Sequence, residues 1–273
     1  VVFNRQLLFI HIPKAGGTSC TNYLCQHLEG PIFSSSLKST LEDHHFNAKL
    51  ISGYSHETLE EAYGDHQRLL ADTGIDIRDV PEVLAVIRHP YSLELSIYNF
   101  YRNGRSNVLQ AKPFQTPEVA AKIELAQGDI KNFVERSGYF RTDSEGRGLR
   151  TEDYLMLDGE LPTSLTLLKM ETLDADFPAS VKHLVSPTAD SFERANVTMN
   201  PRKLTEDALD AGAREAIYQK HRWLFDSGYY EAWQIAARPP LTMRQPVRHF
   251  DRICPETPPT TNRVPCQGRC RTR

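Results

Sequence analysis

The stretch from Leu7 to Ser19 constrains the fold more than any other part of the chain. Leu7-Leu8-Phe9-Ile10-His11-Ile12 is a short apolar run that stops at Pro13, and Gly16-Gly17 follow almost at once. Beyond them Cys20, Leu24 and Leu28 recur at helical spacing, so the segment reads as strand, tight loop, helix. Paired glycines in such a loop let the backbone approach an anion closely, and the N–H groups that open the helix favour negative charge. Lys14 adds a point charge, and Thr18 and Ser19 add hydroxyls. The Gly-Lys-Ser/Thr order of a Walker A loop is absent, since this lysine precedes the glycines; that speaks against an ordinary nucleoside triphosphatase.

Three more runs read as strands: Lys49–Ser52, closed by Gly53; the continuous Val83–Ile87; and Leu165–Lys169. Val-Leu-Ala-Val-Ile is the kind of run that is buried on both faces of a parallel sheet. Helical patterns lie between them, notably Tyr91–Tyr101 and Ile130–Arg136. This alternation predicts an α/β fold of three layers, with a central parallel sheet flanked by helices. Thr205 is the expected N-cap of a late helix whose Leu209, Ala213, Ile217, His221 and Leu224 form one core stripe, and Gly228 is its expected end. From Arg238 prolines are frequent and no apolar period remains, so a domain over 1–238 is expected, followed by a tail or wrapping segment over 239–273.

Composition adds limits. With 273 residues, of which 40% are hydrophobic, the chain can bury the core of one large α/β domain. A net charge of −3 gives no basic excess, so no nucleic-acid partner is expected and any anion site must be built locally. No apolar run is long enough for a membrane segment, and localisation is left open. Cys20 and Cys25 read as buried apolar residues, being poorly spaced for a disulfide on one helix. Cys254, Cys266 and Cys270 lie in the tail; the last two have a zinc-compatible spacing, but no second ligand pair with matching spacing stands nearby, so no metal is expected.

A second constellation is Arg88-His89-Pro90, followed by Ser96 and Tyr98. Arg88 leaves the end of a buried strand, which is where ligands bind in open α/β sheets, and its permanent charge demands a partner. Two anion sites on neighbouring strand ends suit a nucleotide with phosphate at both ends.

Together these motifs carry a resemblance. His11-Ile12-Pro13-Lys14-Ala15-Gly16-Gly17-Thr18-Ser19 resembles the 5′-phosphosulfate loop of sulfotransferases that use 3′-phosphoadenosine-5′-phosphosulfate (PAPS), and Arg88-His89-Pro90 with Ser96 resembles their 3′-phosphate motif. The similarity is to the branch with heparan sulfate 2-O and 6-O enzymes and bacterial carbohydrate sulfotransferases. It extends weakly through Leu168–Glu171, Met199-Asn200 and Ile217–Tyr229, and Leu93 stands where the family often has a second arginine. The resemblance implies a P-loop-like version of the three-layer fold and PAPS as co-substrate without a metal. It also implies transfer of a sulfuryl group to an acceptor hydroxyl on a glycan or small molecule. Lys14 is then expected to neutralise the leaving oxygen, Ala15, Gly16, Gly17, Thr18 and Ser19 to hold the 5′-phosphosulfate, and Arg88 and Ser96 the 3′-phosphate. Related enzymes place a histidine base shortly after the second strand. In this chain Gly53-Tyr54-Ser55-His56-Glu57 stands there, with His56 about two residues beyond the commoner Gly-His arrangement. His56 is the expected base, ahead of His44, His45 and Glu57, while His11 and His89 are expected to be structural and Tyr98, Phe100 and Tyr101 to pack in the core. Arg202 and Lys203 read as surface charge or as added phosphate contacts. Acceptor loops are expected around 54–80 and 102–128. A nucleotide-dependent phosphotransferase, or a catalytically silent PAPS- or sugar-binding module, are the alternative readings.

Overall fold

The structure is a computed structural model; it describes residues 1–35, 48–103, 116–186, 192–193 and 203–232. His44, His45, Met199, Asn200, Arg202 and the tail cysteines lie outside these. The strands are β1 (Val2–Phe3), β2 (Leu7–Ile10), β3 (Ile32–Ser34), β4 (Ala48–Leu50), β5 (Glu82–Ile87) and β6 (Leu165–Lys169). They form one mixed sheet in the order β4-β3-β1-β2-β5-β6. The helices are α1 (Gly17–His27), α2 (Leu59–Gly64), α3 (His66–Thr73), α4 (Pro90–Arg102), α5 (Pro117–Leu125), α6 (Ile130–Arg136), α7 (Leu173–Val181), α8 (Ala211–Lys220) and α9 (Arg222–Asp226). A compact unit spans Val1–Gln234, and the expected tail from 239 lies outside the described residues.

The expected parallel arrangement holds for the central strands β2, β5 and β6, but β1 runs antiparallel to both β2 and β3, so the whole sheet is mixed. The cause is the turn at Asn4. Its side-chain oxygen accepts from the amides of Gln6 and Leu7, each at 2.9 Å, folding the chain straight back into β2. The remaining pairs, β2–β5, β3–β4 and β5–β6, are parallel.

Alternation along the central strands divides the core into two layers. Leu8, Ile10, Val83, Ala85 and Ile87 face one side, against Tyr98 of α4, Phe133 of α6 and Ile217 of α8. Leu7, Phe9, Leu84 and Val86 face the other, against Leu24 of α1 and Phe177 of α7. Helices therefore cover both faces, and Cys20 and Cys25 are buried free thiols in the second layer.

The late helix starts one turn later than its sequence suggests. Thr205 precedes only a short 3₁₀ turn, Glu206–Ala208, and Asp210 caps α8 by accepting from the Ala213 amide at 2.7 Å. The stripe itself is buried throughout, and Gly228, at φ 74°, follows α9. His221 from this stripe meets the fully buried Glu94 of α4 at 2.7 Å, and Lys220 lies 3.0 Å from the same oxygen. Burial alone raises the Glu94 pKa, but these two neighbours outweigh it and bring it down to about 2. The ion pair locks α4, which starts just after Arg88, onto α8.

The chain leaves β2 for α1 on one face and leaves β5 for α4 on the other. The carboxyl ends of these adjacent parallel strands therefore frame a crevice, the usual ligand position in open α/β sheets.

Candidate active site

Three loops meet at that edge. Residues 11–16 follow β2, Arg88-His89 follow β5, and Met170–Thr172 follow β6. Gly16 caps α1 in the left-handed conformation at φ 82°, and a side chain there would overlap the Met170 sulfur. Gly17 is under a harder constraint, because a Cβ would run into the His11 ring. The two glycines are thus required for different reasons: one by its backbone, the other by a rigid ring. Gly16 provides no side-chain cap, and the Ser19 amide already bonds to the Gly16 carbonyl at 3.0 Å. Ser19 and Ala15 are buried, whereas Thr18 is half-buried.

Lys14 is a non-glycine residue at φ 62°, a conformation that costs about 1–2 kcal/mol. Its ammonium sits 4.4 Å from the centre of the Phe100 ring. Burial, and then the charge of Arg88, lower its pKa to about 8. Arg88 donates to the Lys14 carbonyl at 3.0 Å and to the Ser92 hydroxyl at 2.9 Å. The two loops are tied by this contact, and the Arg88 charge is held close enough to Lys14 to help lower its pKa. Ser96 is half-buried one turn beyond Ser92 on α4. Ser92 was not singled out from the sequence, although its position four residues after Arg88 was a usable signal.

His89 is structural, as expected. Its Nδ1 accepts from the Tyr91 amide, and its own amide donates to Glu171 at 2.9 Å. Glu171 also accepts from the Tyr230 hydroxyl at 2.9 Å, which ties the loop after β6 to the same edge. Leu93, Tyr98 and Tyr101 are buried in the core, and Phe100 packs against the same core half-buried, with the Lys14 ammonium over its ring.

His56 reaches this edge from the loop after β4. Its Nδ1 lies 2.9 Å from the His11 carbonyl, an acceptor, so Nδ1 carries the proton and Nε2 is left with the lone pair. The His56 ring packs edge-on against His11, with centres 4.4 Å apart, and against Phe140 at 6.1 Å. Burial dominates over the bond to His11 and lowers the His56 pKa to about 4; burial and His56 likewise push His11 well below the ordinary histidine range. Both rings are therefore neutral near pH 7.

No family model, curated protein or solved structure matches this chain.

Arg141 holds the histidine loop from behind. It donates to the His56 carbonyl at 2.6 Å and pairs with both oxygens of Glu61 at 2.7 Å. Glu61 also completes a capping box with Thr58 at the start of α2. Glu57, the competing carboxylate, is buried and accepts from the Tyr54 amide at 3.2 Å, so it braces the turn rather than facing the crevice. Arg141 and Phe140 carry no local sequence signal; only the fold brings them here. A surface cleft of ≈ 560 Å³ between α6 and α8 is lined by residues such as Lys131, Glu135 and Gln219, and includes none of the residues above. It has volume but lacks the convergent cationic and imidazole groups that meet at the strand-end crevice. Lys203 is exposed, in keeping with surface charge. Among the described residues no helix is long and apolar enough to cross a membrane, and no group of three potential metal ligands occurs.

Proposed function

We propose that this chain is a sulfotransferase with a P-loop-like fold, moving a sulfuryl group from PAPS to an acceptor hydroxyl on a carbohydrate. The observation that carries this reading is the joining of Arg88 to the Lys14 carbonyl at 3.0 Å, which sets two cations at adjacent strand ends beside the Gly16-Gly17 helix start. The residues fit a doubly phosphorylated nucleotide. Lys14 has a pKa depressed by burial and a like charge, a cost that an anion would relieve.

The co-substrate supplies an activated sulfuryl group. Gly16, Gly17, Thr18 and the neighbouring Ala15 and Ser19 hold the 5′-phosphosulfate, while Arg88, Ser92 and Ser96 hold the 3′-phosphate. His56 Nε2 takes the proton of the acceptor hydroxyl as its oxygen bonds to sulfur. The bond from sulfur to the 5′-phosphate oxygen breaks, and the electron pair remains on that oxygen, beside Lys14. Positioning and charge stabilisation carry this kind of transfer, as they do in phosphoryl transfer. His56 is a weak base in the free protein, and the arriving negative charge raises its proton affinity when it is needed.

Incubation with sulfur-labelled PAPS and a mixed pool of oligosaccharides, beside γ-labelled ATP, tests the reading. Labelled sulfate ester with release of 3′-phosphoadenosine-5′-phosphate (PAP) is expected. Transfer from ATP instead identifies a phosphotransferase, and retention of intact PAPS identifies a silent binding module.

A further inference from the structure

Two residues before His56, Tyr54 leaves its ring in water. It is 72% exposed, against 45% for Leu50 and 43% for Leu70, the other exposed large apolar side chains among the described residues. Its backbone is nonetheless pinned on both sides: the amide donates to Glu57 at 3.2 Å, and the carbonyl accepts from the Ser35 hydroxyl at 2.8 Å. The Arg141 guanidinium lies 5.7 Å from the ring centre, and that same group donates to the His56 carbonyl. A fixed, solvent-facing aromatic ring thus shares one anchor with the candidate base. Singly exposed apolar side chains are common on protein surfaces, but a tyrosine whose backbone and one ring face are already fixed offers a large contact at small entropic cost.

We infer that Tyr54 is the stacking platform for a neutral pyranose ring of the acceptor, a specificity-determining residue whose role rests on the sulfotransferase reading above. Arg141 covers one side of the ring, leaving the other for the C–H face of a sugar. The charge of Arg141 is matched by Glu61 in a two-point pair, so the platform presents a ring face and no spare cation for an acidic sugar. An enclosed slot for a planar phenol is not seen among the described residues. The cavity behind Pro13 and Phe140 measures only ≈ 30 Å³, about the share of a single water. The exposed ring of Tyr54 offers an open surface of the kind on which an oligosaccharide can lie.

The test measures initial rates of sulfuryl transfer from PAPS to cellotriose, maltotriose and chitotriose, and to 2-naphthol, for wild type, Tyr54→Phe and Tyr54→Ala. PAP affinity is titrated on the same preparations. At least one trisaccharide is expected to be a better acceptor than 2-naphthol. Tyr54→Ala should raise its KM by about tenfold and Tyr54→Phe by less than about twofold, since the ring face and not the hydroxyl makes the contact. Equal KM in wild type and Tyr54→Ala, a preference for 2-naphthol, or no transfer to any trisaccharide overturns the platform. PAP titration separates the two failures: tight PAP binding with any of these results sinks only the Tyr54 assignment, whereas loss of PAP binding in wild type sinks the sulfotransferase reading beneath it.

Discussion

The two sides of the crevice are built in opposite ways. The proposed cofactor side is local: residues 13–19 supply the loop and helix start in one continuous stretch, and Arg88, Ser92 and Ser96 follow one strand into one helix. The base side is long-range. His56 takes its orientation from the His11 carbonyl, and its loop is held by Arg141, which lies 85 residues away in sequence. Local construction puts chemistry into a readable motif, while long-range construction leaves only isolated residues. The cofactor side should therefore fail through single charges and the base side through geometry, and variants can break or sharpen that contrast.

The largest effect is expected at His56. Replacement by alanine should lower kcat/KM by about 10²–10⁴, the range for loss of a general base. Wild-type kcat/KM should stay flat between about pH 4 and about pH 8. Below about 4 His56 is protonated and cannot accept the proton, and above about 8 Lys14 loses the charge that stabilises the leaving oxygen. The acid limb should disappear in His56→Ala, whereas a limb near pH 6.5 that survives the substitution would assign the base elsewhere.

Lys14→Ala should cost about 10²–10³ in kcat, comparable to removing one preorganised electrostatic contact. Because an anion raises the lowered Lys14 pKa again, binding takes up protons, and PAP affinity should weaken as pH rises through about 8. Calorimetry in buffers of different ionisation enthalpy reads that uptake directly; a proton release would contradict it.

The glycines sharpen the contrast within the loop. Gly17→Ala should destabilise the fold by about 1–3 kcal/mol, since the His11 ring must move, and should also disturb the His11 carbonyl that orients His56. Gly16→Ala should cost about 1–2 kcal/mol from its left-handed backbone, with the flexible Met170 side chain giving way. Urea unfolding measures both, and a larger loss at Gly16 would reverse the assignment.

The smallest effect is expected at Arg141. Arg141→Lys keeps the charge but loses the two-point pair with Glu61, and kcat should fall by about tenfold with little change in the KM for PAPS. A change confined to that KM would move Arg141 to the cofactor side.

These differences also explain what could be read from the chain. The central strands and α6 were legible because continuous apolar runs and helical periods are local properties. The reversal at β1 was missed because one asparagine side chain directs it, and a two-residue strand carries no period. The cap of α8 was displaced because Thr205 and Asp210 are both good capping residues, and only packing of the stripe chooses between them. Lys14, Gly16, Gly17 and Arg88 stood out because anion chemistry limits the residue types it can use. Phe140 and Arg141 did not, because aromatic and basic residues serve many structural roles and nothing near them in sequence marks these as special.

The central claim is that Lys14 and Arg88 form a site for a nucleotide phosphorylated at both its 3′ and 5′ positions. Calorimetric titration with PAP, beside ATP, tests it most directly, using wild type, Lys14→Ala and Arg88→Ala. The account predicts tight binding of PAP, much weaker binding of ATP, and a loss of about 10–100-fold in PAP affinity on Arg88→Ala. Equal or tighter binding of ATP, or PAP affinity indifferent to Arg88, would contradict it.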